Sequence, residues 1–283
     1  MAGARPRTLA AAAVPVAVGT AVGRISAPGG VLWWRAACAL AVAVLVQVGT
    51  NYANDYSDGV RGSDDERVGP MRLTSSGLAT PGQVRAAAIV SFALAGAAGL
   101  ALAAAVGWWL VAVGLSCVAA GWLYTGGPHP YGYLGLGEVF VFVYFGLVAT
   151  TGAAFVQHGR LSAAAVAASV PVGLLSVALL ESNNLRDVQG DAAVGKRTLA
   201  VRVGLTRARW LYVGSVALAL SSVGLVAWWR PAALLALAAA PLAVRPCTLA
   251  TGDASGRGLL PVLAGTGRLQ LAVGALLVLG LSL

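Results

Sequence analysis

Long apolar segments alternate with short polar ones along almost the whole chain. Several apolar segments approach the ~20 residues that a helix needs to cross the ~30 Å hydrocarbon layer of a membrane. The pattern predicts an all-α integral membrane protein with about nine transmembrane helices in one domain, residues 1–283. The predicted helices cover residues 8–27, 32–54, 84–106, 108–125, 134–156, 162–186, 207–228, 231–250 and 259–282.

The composition excludes a soluble fold. Of the 283 residues, 58% are hydrophobic and 10% are charged, whereas an average soluble domain has roughly 25% charged residues. The first apolar segment follows Arg5 and Arg7 and so resembles a signal peptide, but we find no convincing cleavage site and expect a retained helix. Three cysteines stand singly in apolar segments, without the spacing of a metal site.

The net charge of +9 predicts an orientation in the membrane. A basic stripe with interleaved aromatic residues is missing, so we expect no nucleic-acid partner. With nine crossings and a cytoplasmic N-terminus, most basic residues fall on the inside, and the tryptophan pairs 33–34, 108–109 and 228–229 fall at the outer boundary. We therefore predict a multi-pass protein of the cell membrane, with its function on the cytoplasmic side.

Two acidic clusters follow long apolar segments. The first reads N-Y-A-N-D-Y-S-D-G-V-R-G-S-D-D-E-R-V-G-P-M-R and spans 51–72. In it Asn51, Asn54, Asp55 and Asp58 have the i, i+3, i+4, i+7 spacing of one helix face. We place these residues at the cytoplasmic end of the second helix, where a long polar loop, 55–83, begins.

The second cluster repeats the pattern in the other half of the chain. It reads E-S-N-N-L-R-D-V-Q-G-D-A-A-V-G-K-R-T-L-A and spans 181–200, before and within a second predicted loop, 187–206. Asn183, Asp187 and Asp191 are spaced four apart, which again places them on one helix face.

The residue types of the clusters indicate their chemistry. Acids beside an apolar segment are costly unless they are paired or bind a metal. Carboxylate and amide oxygens suit Mg²⁺, which commonly bridges to substrate phosphates, and neighbouring basic residues suit a diphosphate. A solvated loop of paired charges is the alternative, but two matching clusters favour the metal and diphosphate.

The motifs also resemble a known family. N-D-Y-S-D-G-V-R-G-S-D, from Asn54 to Asp64, and N-N-L-R-D-V-Q-G-D, from Asn183 to Asp191, are similar to the two signature motifs of the UbiA superfamily of intramembrane aromatic prenyltransferases. Four further segments resemble its menaquinone branch. They are R-P-R-T-L at 5–9, R-V-G-P-M-R at 67–72, Y-T-G-G-P-H-P-Y-G-Y-L-G-L-G-E at 124–138 and G-K-R-T-L-A-V at 195–201.

The resemblance implies a helical bundle whose central cavity opens sideways to the lipid bilayer. It implies Mg²⁺-dependent transfer of a prenyl group from a polyprenyl diphosphate to 1,4-dihydroxy-2-naphthoate. The implied catalytic residues are Asp58, Asp187 and Lys196. The implied metal ligands are Asn54, Asp55, Asp58, Asp64, Asp187 and Asp191. The implied diphosphate-binding residues are Asn54, Arg67, Arg72, Asn183, Lys196 and Arg197.

Other candidates have a structural interpretation beside the functional one. His129 follows Pro128 where we expect a basic residue such as arginine, and we interpret it as a loop residue. Glu138 at a helix start suits either a structural or a catalytic role. Aromatic faces attract positive charge, so Tyr124, Tyr131, Tyr133 and Tyr144 either shield an allylic cation or serve as interfacial tyrosines.

Two other functions are compatible with parts of the pattern. Another acceptor, such as 4-hydroxybenzoate or homogentisate, is the main alternative, because the acidic motifs bind the diphosphate and not the ring. A cation transporter would carry intramembrane acids nearer the middle of the bilayer. The prenyl chain length, the residues that bind the acceptor and the oligomeric state are not indicated by the sequence.

Overall fold

The structure is a computed structural model that describes residues 3, 5, 8–25, 30–62 and 72–283. All regular elements in these ranges are helices, which confirms the all-α prediction. The α-helices are α1 Ala10–Ile25, α2 Trp33–Val60, α3 Pro81–Val106, α4 Leu110–Leu123, α5 Gly137–Val141, α6 Ala149–His158, α7 Ala163–Ala193, α8 Leu199–Val203, α9 Leu205–Ala227, α10 Pro241–Thr251 and α11 Leu260–Ser282.

The chain is a multi-pass membrane protein. Within the described ranges, six helices are long and apolar enough to cross a membrane, and the pair Pro231–Ala239 and Pro241–Thr251, bent by 47°, makes a seventh if it is one span. The remaining two apolar helices, α1 and α4, have 16 and 14 residues. At 1.5 Å per residue they are about 24 and 21 Å long, less than the ~30 Å layer. The predicted count of nine spans is therefore not confirmed.

The helices that carry the acidic motifs are longer than predicted. Helix α2 continues to Val60 instead of ending near 54, and α7 continues to Ala193 instead of ending near 186. The predicted loops at 55–83 and 187–206 consequently begin one to two turns too early. Polar residues suggested a loop, but on one face of a helix they can line a cavity while the other faces pack.

Helices α5 and α6 form one rod, Gly137–His158, whose middle segment, Phe142–Val148, is a π-helix. This rod crosses α7 at a glycine pair. A Cβ atom on Gly146 would lie 2.7 Å from the Cα atom of Gly173, so the two backbones approach as closely as small residues allow. π-Helical segments are common at functional sites, and this one reaches the cavity described below.

The bundle brings the acidic ends of α2 and α7 to the same region. The start of α2 lies far from this region, because Trp33 and Asp58 are separated by about 38 Å of helix at 1.5 Å per residue. Trp33 is 75% exposed at that opposite end, which suits an aromatic residue at a membrane boundary.

Candidate active site

Residues of both acidic motifs line one cavity of about 760 Å³. Along α2 the lining residues change from apolar to polar. The apolar ones are Ala39, Val42, Ala43 and Val46, and the polar ones are Gln47, Thr50, Asn51, Asn54 and Asp58. The predicted residues that share this cavity are Asn54, Asp58, Arg72, Asn183, Asp187, Asp191 and Lys196. The cavity thus has an apolar end and a polar end, as a ligand with a long hydrocarbon tail and a charged head requires.

Asp58 connects several segments at the polar end. Its Oδ1 atom accepts a hydrogen bond from the Tyr133 hydroxyl at 2.7 Å. Its Oδ2 atom lies 3.1 Å from the Lys196 Nζ atom and 3.6 Å from the Arg72 Nη2 atom. All three charged side chains are at most 8% exposed. A buried carboxylate needs such partners, because an isolated buried charge is costly.

Lys196 reaches Asp58 because the chain reverses after α7. The Lys196 N–H donates to the Asp191 carbonyl at 2.8 Å, and the Gly195 N–H donates to the Ala192 carbonyl at 3.2 Å. This is the Schellman pattern of helix termination. It requires a left-handed residue at position 195, where glycine has φ +74°. The G-K pair in the sequence therefore both ends the helix and places the lysine.

Asp187 pairs with its neighbour Arg186. The Arg186 Nε and Nη2 atoms donate to the two carboxylate oxygens at 2.7 and 2.6 Å, and both residues line the cavity. Arg186 Nη1 is buried without a hydrogen-bond partner in the described part of the chain. Sequence reasoning missed Arg186 as a cavity residue, although its place beside Asp187 in the second motif was a usable signal.

The position of the acids near helix C-termini explains why cations accompany them. The C-terminal end of a helix carries partial negative charge and disfavours carboxylates. Asp58 and Asp191 both lie within the last turn of their helices, α2 and α7. Lys196 and Arg72 offset this repulsion at Asp58, and a bound cation would offset it further.

Asp55 points away from the group around Asp58. Its two oxygens accept hydrogen bonds from the backbone N–H groups of Leu73 and Thr74, at 2.9 and 3.0 Å. It is fully buried and is not among the described residues that line the cavity. These contacts hold the backbone of Leu73 and Thr74 against α2. That Asp55 binds a metal stays a prediction, and the position of its carboxylate does not favour it.

The other predicted residues differ in their placement. Asn183 donates to the Leu179 carbonyl at 3.1 Å and lines the cavity. Arg197 is exposed, and its backbone N–H donates to the Tyr133 carbonyl at 3.1 Å. Asp64 and Arg67 lie outside the described residues.

Aromatic rings line the cavity near the acidic groups. Tyr131 stacks on Phe140 with ring centroids 3.8 Å apart, and Phe140 stacks on Tyr144 at 6.1 Å. Burial raises the pKa of the Tyr131 phenol, and the Tyr131 hydroxyl donates to the Ala120 carbonyl at 2.9 Å. Lys196 Nζ lies 4.8 Å from the Tyr133 ring centre. Phe140 was missed in the sequence, although its i, i+4 spacing to Tyr144 places the two on one helix face.

The two remaining candidates lie beside the cavity. The Asn184 amide donates to Glu138 Oε1 at 2.9 Å and joins α7 to α5. This contact favours the structural interpretation of Glu138, which is not among the cavity residues. His129 is exposed in a loop, as expected.

The donor set at the polar end fits Mg²⁺ in its chemistry. The carboxylates of Asp58, Asp187 and Asp191 and the amide of Asn54 line the same cavity, and hard oxygen ligands of this kind suit magnesium. Among the described residues, however, no group of three His, Cys, Asp or Glu side chains is close enough to hold a metal. The carboxylates of Asp58 and Asp187 are paired with cationic side chains instead.

Comparisons with known proteins agree with this site. The model of the UbiA prenyltransferase family matches residues 12–255. A relative from Mycobacterium tuberculosis named 1,4-dihydroxy-2-naphthoate octaprenyltransferase is 49% identical over 278 residues, which cover 98% of this chain and 94% of the relative. A relative of the same name from Escherichia coli is 37% identical and covers 99% of this chain and 93% of its own length.

A solved structure has the same fold. It is a UbiA homolog from Archaeoglobus fulgidus bound to GPP and Mg²⁺, with a TM-score of 0.67 and 17% identity, covering 98% of both chains. The chain belongs to the UbiA prenyltransferase family. It is a prenyltransferase, as its motifs predicted, and the names of the two relatives confirm the resemblance to the menaquinone branch.

Proposed function

We propose that this protein transfers a polyprenyl group from polyprenyl diphosphate to 1,4-dihydroxy-2-naphthoate, with loss of CO₂ and diphosphate, to give demethylmenaquinol. The observation that carries the proposal is the cavity in which both acidic motifs meet below an apolar chamber. The relative that is 49% identical supports the choice of acceptor by its name.

The polar end of the cavity is the proposed diphosphate site. Lys196 and Arg72 supply cations for the diphosphate oxygens, and their present pairing with Asp58 keeps them in place. Asp58, Asp187, Asp191 and Asn54 would hold Mg²⁺. When bound, Mg²⁺ supplies positive charge that stabilises the leaving diphosphate. We keep Asp64, Arg67 and Asn183 as proposed members of this site. Arg197, which is exposed and not among the described residues that line the cavity, stays a prediction that its position does not favour.

The reaction then depends on charge and position. The allylic C–O bond breaks, and diphosphate departs with its electron pair. The electron-rich ring carbon that carries the carboxylate bonds to the allylic carbon. The bond to the carboxylate breaks, CO₂ leaves, and its electron pair restores the aromatic ring. Tyr131, Phe140 and Tyr144 offer aromatic faces that stabilise developing positive charge, and burial excludes water from the cation.

A membrane location suits the donor substrate. Each buried CH₂ group contributes about 0.8 kcal/mol, so a long prenyl tail favours the apolar chamber or the lipid beside it. We propose that the cavity opens sideways to the bilayer and that α1 and α4 complete a bundle of nine spans in a single domain. We further propose that the acidic ends face the cytoplasm and that the protein lies in the cell membrane.

The first test is product analysis. Purified protein in detergent is supplied with a polyprenyl diphosphate, one acceptor, and either Mg²⁺ or EDTA, and the products are measured by mass spectrometry. We expect a decarboxylated prenyl naphthohydroquinone from 1,4-dihydroxy-2-naphthoate with Mg²⁺ and none with EDTA. Prenylation of 4-hydroxybenzoate alone would overturn the acceptor, and equal turnover in EDTA would overturn the metal.

A further inference from the structure

Arg5 differs from the other cationic side chains of the cavity. In the part of the chain that the structure describes, the cavity is lined by four of them, Arg5, Arg72, Arg186 and Lys196. Arg72 and Lys196 contact Asp58, and Arg186 contacts Asp187. Arg5 forms no ion pair within the described ranges, and its Nη2 atom is buried without a hydrogen-bond partner there. A buried donor without a partner is energetically costly unless a ligand accepts a hydrogen bond from it.

The backbone at Arg5 is held in an uncommon conformation. Arg5 has φ +48° and is the sole non-glycine residue with positive φ among the described residues. Its carbonyl accepts two hydrogen bonds from Thr8, one from the N–H and one from the hydroxyl, both at 2.9 Å. Conformations of this kind persist where the surroundings enforce them, often at ligand sites.

A row of polar side chains on α2 enforces this turn. The Gln47 amide donates to Asn51 Oδ1 at 3.1 Å, and the Asn51 amide donates to the Thr8 hydroxyl at 3.1 Å. All of these residues line the cavity. The row thus links the Arg5 backbone, through Thr8, to the wall of the cavity.

The turn lies apart from Asp58, where the proposed diphosphate-binding cations Arg72 and Lys196 meet. Asn51, which contacts the turn, precedes Asp58 by seven residues, about 10 Å of helix. An acceptor that reacts with the allylic carbon must lie between the diphosphate end and the apolar chamber. The proposed acceptor is itself an anion, because it carries a carboxylate.

We propose that Arg5 binds the carboxylate of the aromatic acceptor and that Thr8, Asn51 and Gln47 hold Arg5 in position. The inference rests on the proposed function, because it takes an aromatic carboxylate as the acceptor. The planar guanidinium pairs well with a carboxylate, and here it directs the carboxylate-bearing ring carbon toward the allylic carbon. After CO₂ leaves, the neutral product no longer has a charge for Arg5 to hold.

The experiment measures binding without turnover. Isothermal titration calorimetry gives the Kd of 1-hydroxy-2-naphthoate and of 1-naphthol, which lacks the carboxylate, for the parent protein and for Arg5→Gln in detergent. We expect the Kd of 1-hydroxy-2-naphthoate to rise roughly ten- to hundredfold, as loss of a charge-assisted hydrogen bond predicts, with 1-naphthol unchanged. Arg5→Lys should recover part of the affinity.

A control variant and a second ligand distinguish carboxylate binding by Arg5 from a role in folding or in diphosphate binding. Arg24→Gln changes an exposed arginine at the far end of α1 and should leave both Kd values unchanged.

An equal loss of affinity for both ligands in Arg5→Gln, or no loss of affinity for either, overturns the proposal. So does a rise in the KM of polyprenyl diphosphate with the acceptor KM unchanged, which would assign Arg5 to the diphosphate. Failure of the parent protein to prenylate the naphthoate, with the carboxylate effect intact, would contradict the proposed reaction and not the Arg5 site.

Discussion

At the end of α2, Asp58 contacts Arg72, Tyr133 and Lys196, which lie on three other segments. At the end of α7, Asp187 contacts Arg186, its neighbour in the chain. Arg72 and Lys196 thus reach Asp58 from other segments of the chain, whereas Arg186, a partner of Asp187, lies on the same helix as Asp187. The end of α2 is therefore a junction, in which Asp58 connects several chain segments. At the end of α7, Asp187 is paired with Arg186 of the same helix, and both residues line the cavity.

The largest expected effect comes from removing either cavity carboxylate. We expect Asp58→Asn and Asp187→Asn each to lower turnover by roughly 10³-fold, because both are proposed to hold Mg²⁺ against the leaving diphosphate. Turnover is measured with 1,4-dihydroxy-2-naphthoate and polyprenyl diphosphate. Near-normal turnover in either variant would remove that carboxylate from the metal site.

The second effect tests Lys196, whose ammonium group contacts Asp58 and whose backbone N–H donates to the Asp191 carbonyl. We expect Lys196→Gln to lower turnover by roughly 10²-fold, because it removes a donor for diphosphate oxygens and leaves Asp58 with fewer partners. The matched control is Arg197→Gln, which changes the next residue. Because the Arg197 side chain is exposed, we expect the turnover of this variant to stay within about threefold of the parent. If the Arg197 variant loses as much as the Lys196 variant, the diphosphate contacts both residues.

Within the first motif, Asp55 should affect stability more than chemistry. Asp55→Asn replaces one of two acceptors for the Leu73 and Thr74 amides with a donor. Leaving a buried N–H group unpaired costs about 1–3 kcal/mol, so we expect a lower melting temperature in detergent and near-parent turnover per folded molecule. A loss of turnover equal to that of Asp58→Asn, at unchanged melting temperature, would instead make Asp55 a metal ligand.

The contrast between Asp55 and Asp58 also shows how far the site could be predicted from the sequence. Apolar segments predicted the helices, and the i, i+3, i+4, i+7 spacing predicted that one face of α2 carries the acids. That spacing groups residues within about 100° of a helix face and cannot separate Asp55, which turns toward 73–74, from Asp58, which turns toward the cavity. That separation depends on which chain segment packs on each side.

Residues far apart in sequence were harder to predict for the same reason. Lys196 was found because it lies in a motif beside the second acidic cluster. Arg5 lay in a segment recognised only by resemblance, and its place in the cavity depends on Thr8 and Asn51 meeting across 43 residues of chain. Periodicity describes one helix at a time, so it contains no information about such contacts.

Among the residues that contact one another at Asp58, the smallest effect on turnover is expected from the Tyr133 hydroxyl, which donates to Asp58. Tyr133→Phe removes the 2.7 Å hydrogen bond to Asp58 Oδ1 but keeps the ring, 4.8 Å from Lys196 Nζ. A hydrogen bond to a charged group contributes at least about 1.5 kcal/mol, so turnover should fall roughly tenfold. If the Tyr133 hydroxyl acts through Asp58, Tyr133→Phe should change turnover little in a protein that already carries Asp58→Asn. A double-mutant cycle of the two substitutions measures this coupling. Independent, multiplicative losses would show that Tyr133 acts on the substrates by itself and not through Asp58.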